Sequence, residues 1–209
     1  MGPPPRLFYY PISHYCVSAE RMLAYKGIQP EIVMVPYHDK RELLAATGQD
    51  FVPALVDGER VVTWESIPDY LDGRQHAPTL SPAGQRGVAR TLEHWGHQVL
   101  EERVWRAVVT EVPPVLTDDV ERWVFEELQT RARGPWHVLV SRREEFVRDA
   151  LDHLGRVEEM LQGRDWLLGD PSRADFGVYG AISPWVTVGH PIPEQFPHLR
   201  AWAARIRDL

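Results

Sequence analysis

The chain has a single cysteine, Cys16, and only two lysines, Lys26 and Lys40, among its 23 basic residues. One thiol closes no intrachain disulfide, which excludes the disulfide scaffolds of small secreted domains and leaves the thiol as core filling or as chemistry. The arginine excess reads as genomic codon bias with no bearing on mechanism. No uncharged apolar run approaches the roughly 18 to 20 residues that a membrane span needs. Met-Gly-Pro-Pro-Pro-Arg opens the sequence without the apolar stretch of a signal peptide, and Arg6 stands where N-myristoylation wants Ser or Thr. The expectation is a cytosolic protein with no membrane partner. The basic residues are scattered and the net charge is -7, so a nucleic-acid footprint is missing too. Repeats and low-complexity tracts are absent beyond the Pro-rich start.

What is present suffices for a core, since 44% of the 209 residues are hydrophobic. Residues 6–10 read as a strand, and Ser13 sits where an N-cap belongs, ahead of a helix over 14–26 closed by Gly27. A second strand follows over 31–35, then a short helix over 40–47 ended by Gly48. Segments 53–56 and 60–63 flank Asp57-Gly58, whose glycine supplies the positive φ of a tight hairpin. Ser66 opens the next helix, with Pro68 tolerated in its first turn. The order is β-α-β-α-β-β-α. Residues 73–82 are polar and rich in Gly and Pro, a linker, and strand signals stop there. Helical spacing recurs over 85–109, 118–131, 138–161, 172–186 and 198–206, so an all-α region follows.

The backbone N–H groups that begin a helix lack intrahelical partners and carry roughly half a positive charge, so the turn at Ser13 is a place for an anion. A thiolate held there is favoured, and its pKa falls from about 8.5. Ser13 is placed to donate a hydrogen bond to such a sulfur. Val52-Pro53 precedes the hairpin, and proline there lacks the N–H that pairing requires. If that peptide bond is cis, the Val52 backbone turns outward and pairs with a peptide-like ligand as an added strand would. Glu65-Ser66 offers a carboxylate for a ligand ammonium, and a hydroxyl with free N–H groups for a ligand carboxylate. Taken singly, Ser13 is also a plain cap, Pro53 an edge proline and Glu65-Ser66 a second cap. His94 and His97 lie at i, i+3 on a helix without a third metal ligand in view.

The run Tyr-Tyr-Pro-Ile-Ser-His-Tyr-Cys-Val-Ser at 9–18, Lys-Gly-Ile at 26–28, Val-Pro-Ala-Leu-Val-Asp-Gly at 52–58, Trp-Glu-Ser at 64–66 and Tyr-Leu at 70–71 resembles, in order and spacing, the N-terminal domain of cytosolic glutathione S-transferases. Gly-Asp-Pro-Ser-Arg-Ala-Asp-Phe at 169–176 resembles the family's C-terminal signature, with Ser172 and Asp175 as a capping box. The resemblance implies a thioredoxin-like glutathione-binding domain over 1–75, a linker over 76–84 and an all-helical domain over 85–209 that forms the pocket for a hydrophobic electrophile. It implies a homodimeric detoxification enzyme with glutathione as co-substrate and neither cofactor nor metal. Ser13 falls on the thiolate-stabilising position of serine-type, theta- or delta-like members, with Tyr9 and Cys16 as alternatives. Val52, Pro53, Glu65, Ser66, His38 and Lys40 would hold glutathione, and Ile12, Tyr15 and Trp105 would border the electrophile. His14 and Tyr15 stand where the family often has Pro after the catalytic position. The same fold also serves non-catalytic binding modules, and a thiol-disulfide reductase would work through Cys16.

Overall fold

The computed structural model describes residues 3–116 and 118–209; Met1 and Gly2, on which the reading of the chain's start turns, lie outside the described residues, as does Thr117. Strands β1 (Arg6–Tyr9), β2 (Glu31–Met34), β3 (Ala54–Asp57) and β4 (Arg60–Thr63) form one sheet in the order β2-β1-β3-β4. Helix α1 (His14–Tyr25) carries the chain back across the sheet, so β1 and β2 pair in parallel, with Leu7 opposite Ile32. β3 runs antiparallel to β1 and to β4. In the hairpin Asp57 still pairs with Arg60, so the two turn residues are Gly58 and Glu59, and Gly58 takes φ +60 at the position a type II′ turn assigns to glycine. Helices α2 (Arg41–Thr47) and α3 (Ile67–Arg74) complete a thioredoxin-like domain of the order read from the sequence. The pleat sends Leu7, Leu55 and Val62 to the large core beneath α1 and α3, and Phe8 and Ala54 to a smaller core with Val35 and Leu43.

The helical region comprises α4 (Arg86–Trp95), α5 (Glu101–Val108), α6 (Asp119–Arg133), α7 (Trp136–Ser141), α8 (Arg143–Met160), α9 (Arg173–Thr187) and α10 (Pro197–Arg207). Two expected continuous helices are interrupted. A π turn, Gly96–Leu100, joins α4 to α5, where a Cβ on Gly96 would come within 3.2 Å of the Gly177 backbone of α9. The stretch 138–161 breaks at Arg142 (φ -101, ψ 9), a kink of one residue that apolar spacing does not register. Among the described residues no helix is long and apolar enough to cross a membrane.

Helix α9 is the central buried helix, and it sets the height of α1. Its Ser172 and Asp175 form the expected reciprocal capping box, and Asp175 also accepts from Leu167 N at 2.8 Å and Trp202 Nε1 at 2.9 Å. A Cβ at Gly180 would fall 2.4 Å from the His14 carbonyl oxygen, so only glycine lets α9 approach the first turn of α1 this closely. Arg173, 4% exposed, binds Glu93 of α4 at 2.5 Å and Asp69 of α3 at 3.1 Å, tying the sheet domain to the helices. Lys26, set aside on composition, is buried and donates to Asp72 and to the Gln75 carbonyl at 2.7 Å each, which clamps the end of α3 onto the start of the connection.

Candidate functional site

Because β3 runs against β1 and β4 while β2 runs with β1, the C-termini of β1, β2 and β4 and the N-terminus of β3 gather at one end of the sheet. That end carries Ser13 after β1, His38 after β2, Val52-Pro53 before β3 and Glu65-Ser66 after β4. Topology alone thus brings together residues that are far apart in sequence.

Ser13 caps α1 with extended backbone, and its Oγ accepts from Cys16 N at 3.4 Å. The first turn of α1 holds no acidic residue, so the field of its open N–H groups is not neutralised. The Val52-Pro53 peptide bond is cis. Among the described residues the Val52 backbone makes no hydrogen bond. Glu65 and Ser66 are exposed within a single 3-10 turn, Trp64–Ser66, that leads into α3.

Cys16, one helical turn beyond Ser13, is different. It is 0% exposed and receives Tyr10 N at 3.4 Å, and burial pushes its thiol up to about 12 despite the hydrogen bonds from Ser13 and Tyr10. Near neutral pH Cys16 is thus a protonated thiol packed in the core. The Tyr9 hydroxyl points to Glu20, donating at 3.2 Å, and burial followed by Glu20 and Cys16 holds it un-ionised. Lys40 is occupied by the Asp50 carbonyl at 2.6 Å.

The residues expected at the electrophile part ways. Ile12 lines a cleft of about 430 Å³ bounded by the β1-α1 turn, the end of β2 with Pro36 and His38, and the chain entering α6. Tyr15 faces elsewhere: its ring packs on Trp64 at 4.2 Å and on His97 at 4.4 Å, and its hydroxyl accepts from Gln98 Nε2 at 2.9 Å. Trp105 is buried, its indole donating to Gln129 Oε1 at 2.8 Å, and it does not border the cleft. A larger hollow of about 680 Å³ lies between α9 and α10 beside Tyr179 and Arg200, and none of the site residues lines it.

Sequence reading missed a polar seam behind the first turn of α1. His14 Nδ1 lies 3.5 Å from Glu101 Oε1, Arg133 reaches the same oxygen at 3.5 Å, and Arg133 also donates to Gln129 at 2.6 Å. Burial raises the Glu101 carboxyl to about 7 against the pull of Arg133, and burial with His97 and Arg133 keeps His14 neutral. The His14–Glu101 contact is therefore polar rather than a full ion pair at neutral pH. His97, one of the paired histidines read on the helix, is buried and lowered to about 3, chiefly by desolvation. His14, Glu101 and Arg133 lie on α1, α5 and α6, and no local pattern announces such a set.

A thioredoxin-like sheet domain followed by an all-helical region, with half-buried and exposed polar groups collected at one end of the sheet, defines the class of protein. Residues 7–79 match the family model of the glutathione S-transferase N-terminal domain, so the chain carries that family's first domain on the glutathione S-transferase fold. Solved structures with the same fold include a glutathione S-transferase from Rhodospirillum rubrum F11 (23% identity, covering 98% of this chain and 88% of that one, TM-score 0.75). A glutathione transferase from Phanerochaete chrysosporium is 17% identical over 99% of this chain and 96% of its own, TM-score 0.81. Glutaredoxin 2 from Salmonella typhimurium, solved in complex with glutathione, is 15% identical over 100% and 96%, TM-score 0.78. Identities this low speak for the fold alone. No curated protein matches the sequence.

Proposed function

We propose that the protein is a glutathione transferase-type enzyme that activates a small thiol, glutathione, for attack on a hydrophobic electrophile. The observation that carries this reading is the gathering of Ser13, Val52 and Glu65-Ser66 at one sheet end, over an α1 N-terminus free of acidic residues and beside an apolar-walled cleft. Ser13 donates a hydrogen bond from its hydroxyl to the thiolate, which lowers the thiol pKa and leaves the sulfur nucleophilic near neutral pH. The Val52 backbone pairs with the peptide part of the ligand, and Glu65 with Ser66 takes its amino-acid head group. The electrophile approaches from the cleft that Ile12 borders. The burial of Cys16 weighs against the reductase reading, and homodimerisation is checked by sedimentation of the purified chain.

Titration with glutathione while the ultraviolet absorbance of bound thiolate is followed tests this reading. A charge-assisted hydrogen bond contributes about 1.5 to 3 kcal/mol, which corresponds to one or two pKa units if it is made only to the thiolate. Ser13→Ala is expected to raise the bound thiol's pKa by that amount, with binding nearly unchanged. Equal titration curves for the two proteins refute the role of Ser13. Thiol binding without turnover of any electrophile selects a binding module instead.

A further inference from the structure

The cleft beside the β1-α1 turn is apolar along Ile12, Met34, Val115 and Leu116, and its polar lining is Asp118, Glu121, Tyr10, Thr187 and His38, the last being the one basic side chain on it among the described residues. Asp118 and Glu121 border it from the start of α6, and no arginine or lysine does. Each carboxylate has one oxygen engaged: Asp118 Oδ1 accepts Glu121 N at 2.9 Å as the α6 cap, and Glu121 Oε1 accepts Tyr37 N at 3.1 Å. Arg122, the nearest cation in sequence, is occupied by the Leu116 carbonyl at 2.9 Å and by Asp119. Tyr10, which also lines the cleft, is only 7% exposed, and its hydroxyl lies beside the Glu121 carboxylate without a well-formed hydrogen bond to it or to any other described residue. Burial first, then Tyr37 and Glu121, hold that phenol un-ionised, so it stays a neutral group beside a carboxylate.

An unpaired buried hydroxyl costs free energy until something bonds it, and two half-free carboxylates in an apolar cleft favour a positive charge. With one oxygen of each acid already committed, the pair falls short of the six to eight oxygens a calcium ion takes, whereas an ammonium asks for three acceptors. The volume of about 430 Å³ lies within the range of small-molecule sites, roughly 300 to 1,000 Å³. We propose that this cleft takes an apolar molecule bearing a protonated amine, its ammonium held by Glu121 and Asp118 with the Tyr10 hydroxyl as third acceptor. The inference deepens the proposed function by naming the class of the second substrate, and it rests on the reading of this cleft as that substrate's seat.

Calorimetry on the intact protein with 2-phenylethylamine, its uncharged counterpart 2-phenylethanol and the anion phenylacetate tests it. The amine is expected to bind at least tenfold more tightly than the alcohol, with the anion weakest and the preference shrinking as salt is raised. Glu121→Gln, which keeps an acceptor for Tyr37 N, should reduce the amine preference to less than threefold while leaving the alcohol's affinity unchanged. Tyr10→Phe should weaken the amine severalfold and the alcohol less. Equal affinity for amine and alcohol in the native protein overturns the proposal, as does a preference that survives the double change Asp118→Asn, Glu121→Gln. Glutathione titration of the same samples separates the two claims. Loss of thiol binding with the amine preference intact removes the thiol reading, and the reverse removes this one.

Discussion

Two helices begin beside the cleft, α1 at Ser13 and α6 at Asp118, and the same backbone geometry serves opposite charges at the two places. Both N-termini present a positive dipole end. At α1 the cap is a hydroxyl and the first turn has no acid, so the positive end stays open to an anion. At α6 the cap is Asp118, and Asp119 and Glu121 follow in the first turn, so three carboxylates outweigh the dipole and the local sign reverses. A helix start therefore does not by itself announce an anion site; the cap and the first turn decide.

The most direct way to break this contrast is to give α1 the cap of α6. Ser13→Asp keeps a strong N-cap, so the helix is retained, but it sets a negative charge where the thiolate would sit. Thiolate formation on bound glutathione is expected to fall more than a hundredfold at pH 7, beyond the loss in Ser13→Ala, while circular dichroism stays native. Thiolate absorbance as strong as in the native protein would show that the α1 terminus does not hold the sulfur.

The seam behind α1 sharpens the contrast through pH. His97 is lowered to about 3 and His14 is lowered as well, so the stability both contribute is present above pH 6.5 and is lost as the pH falls. Glu101 acts in the other direction. Its folded carboxyl, raised to about 7 from 4.5, binds a proton that the unfolded chain has released, so its contribution is full below pH 4.5 and is lost as the pH rises toward 7. Two histidines against one glutamate predict that stability rises between pH 4.5 and 7. Glu101→Gln removes the opposing limb and should steepen that rise by about 3 kcal/mol at most. Urea midpoints across the range measure it, and parallel curves for the two proteins would mean that Glu101 does not titrate there.

Ser13, Val52-Pro53 and Glu65-Ser66 were legible because each lies at a turn with its own cap or proline chemistry, and strand order did the rest. The capping box at Ser172 and Asp175 was legible for the same reason. Tyr15 shows where this stops. Sequence places it two residues after Ser13, but its direction around α1 is set by Trp64 and Gln98, partners far along the chain. Trp105 is likewise turned inward by Gln129. Tyr10 and Glu121 are 111 positions apart, Glu101 and Arg133 are 32, and neither pair sits on a shared period, so only the packed structure joins them.

The smallest effect tests whether Asp118 is more than a cap. Its Oδ1 accepts from Glu121 N, and that bond is the chief reason the Asp118 carboxyl is held below the usual carboxylate range. Asp118→Asn keeps the hydrogen bond and removes the charge, so the melting temperature should stay put; Asp118→Ala loses both and should melt roughly 2 to 4 °C lower. If α6 carries its acids only to begin the helix, phenylethylamine will bind the Asn variant as well as the native protein, and only the Ala variant will differ. A weaker amine in both variants, with stability changed in one alone, separates the charge that faces the cleft from the hydrogen bond that starts the helix.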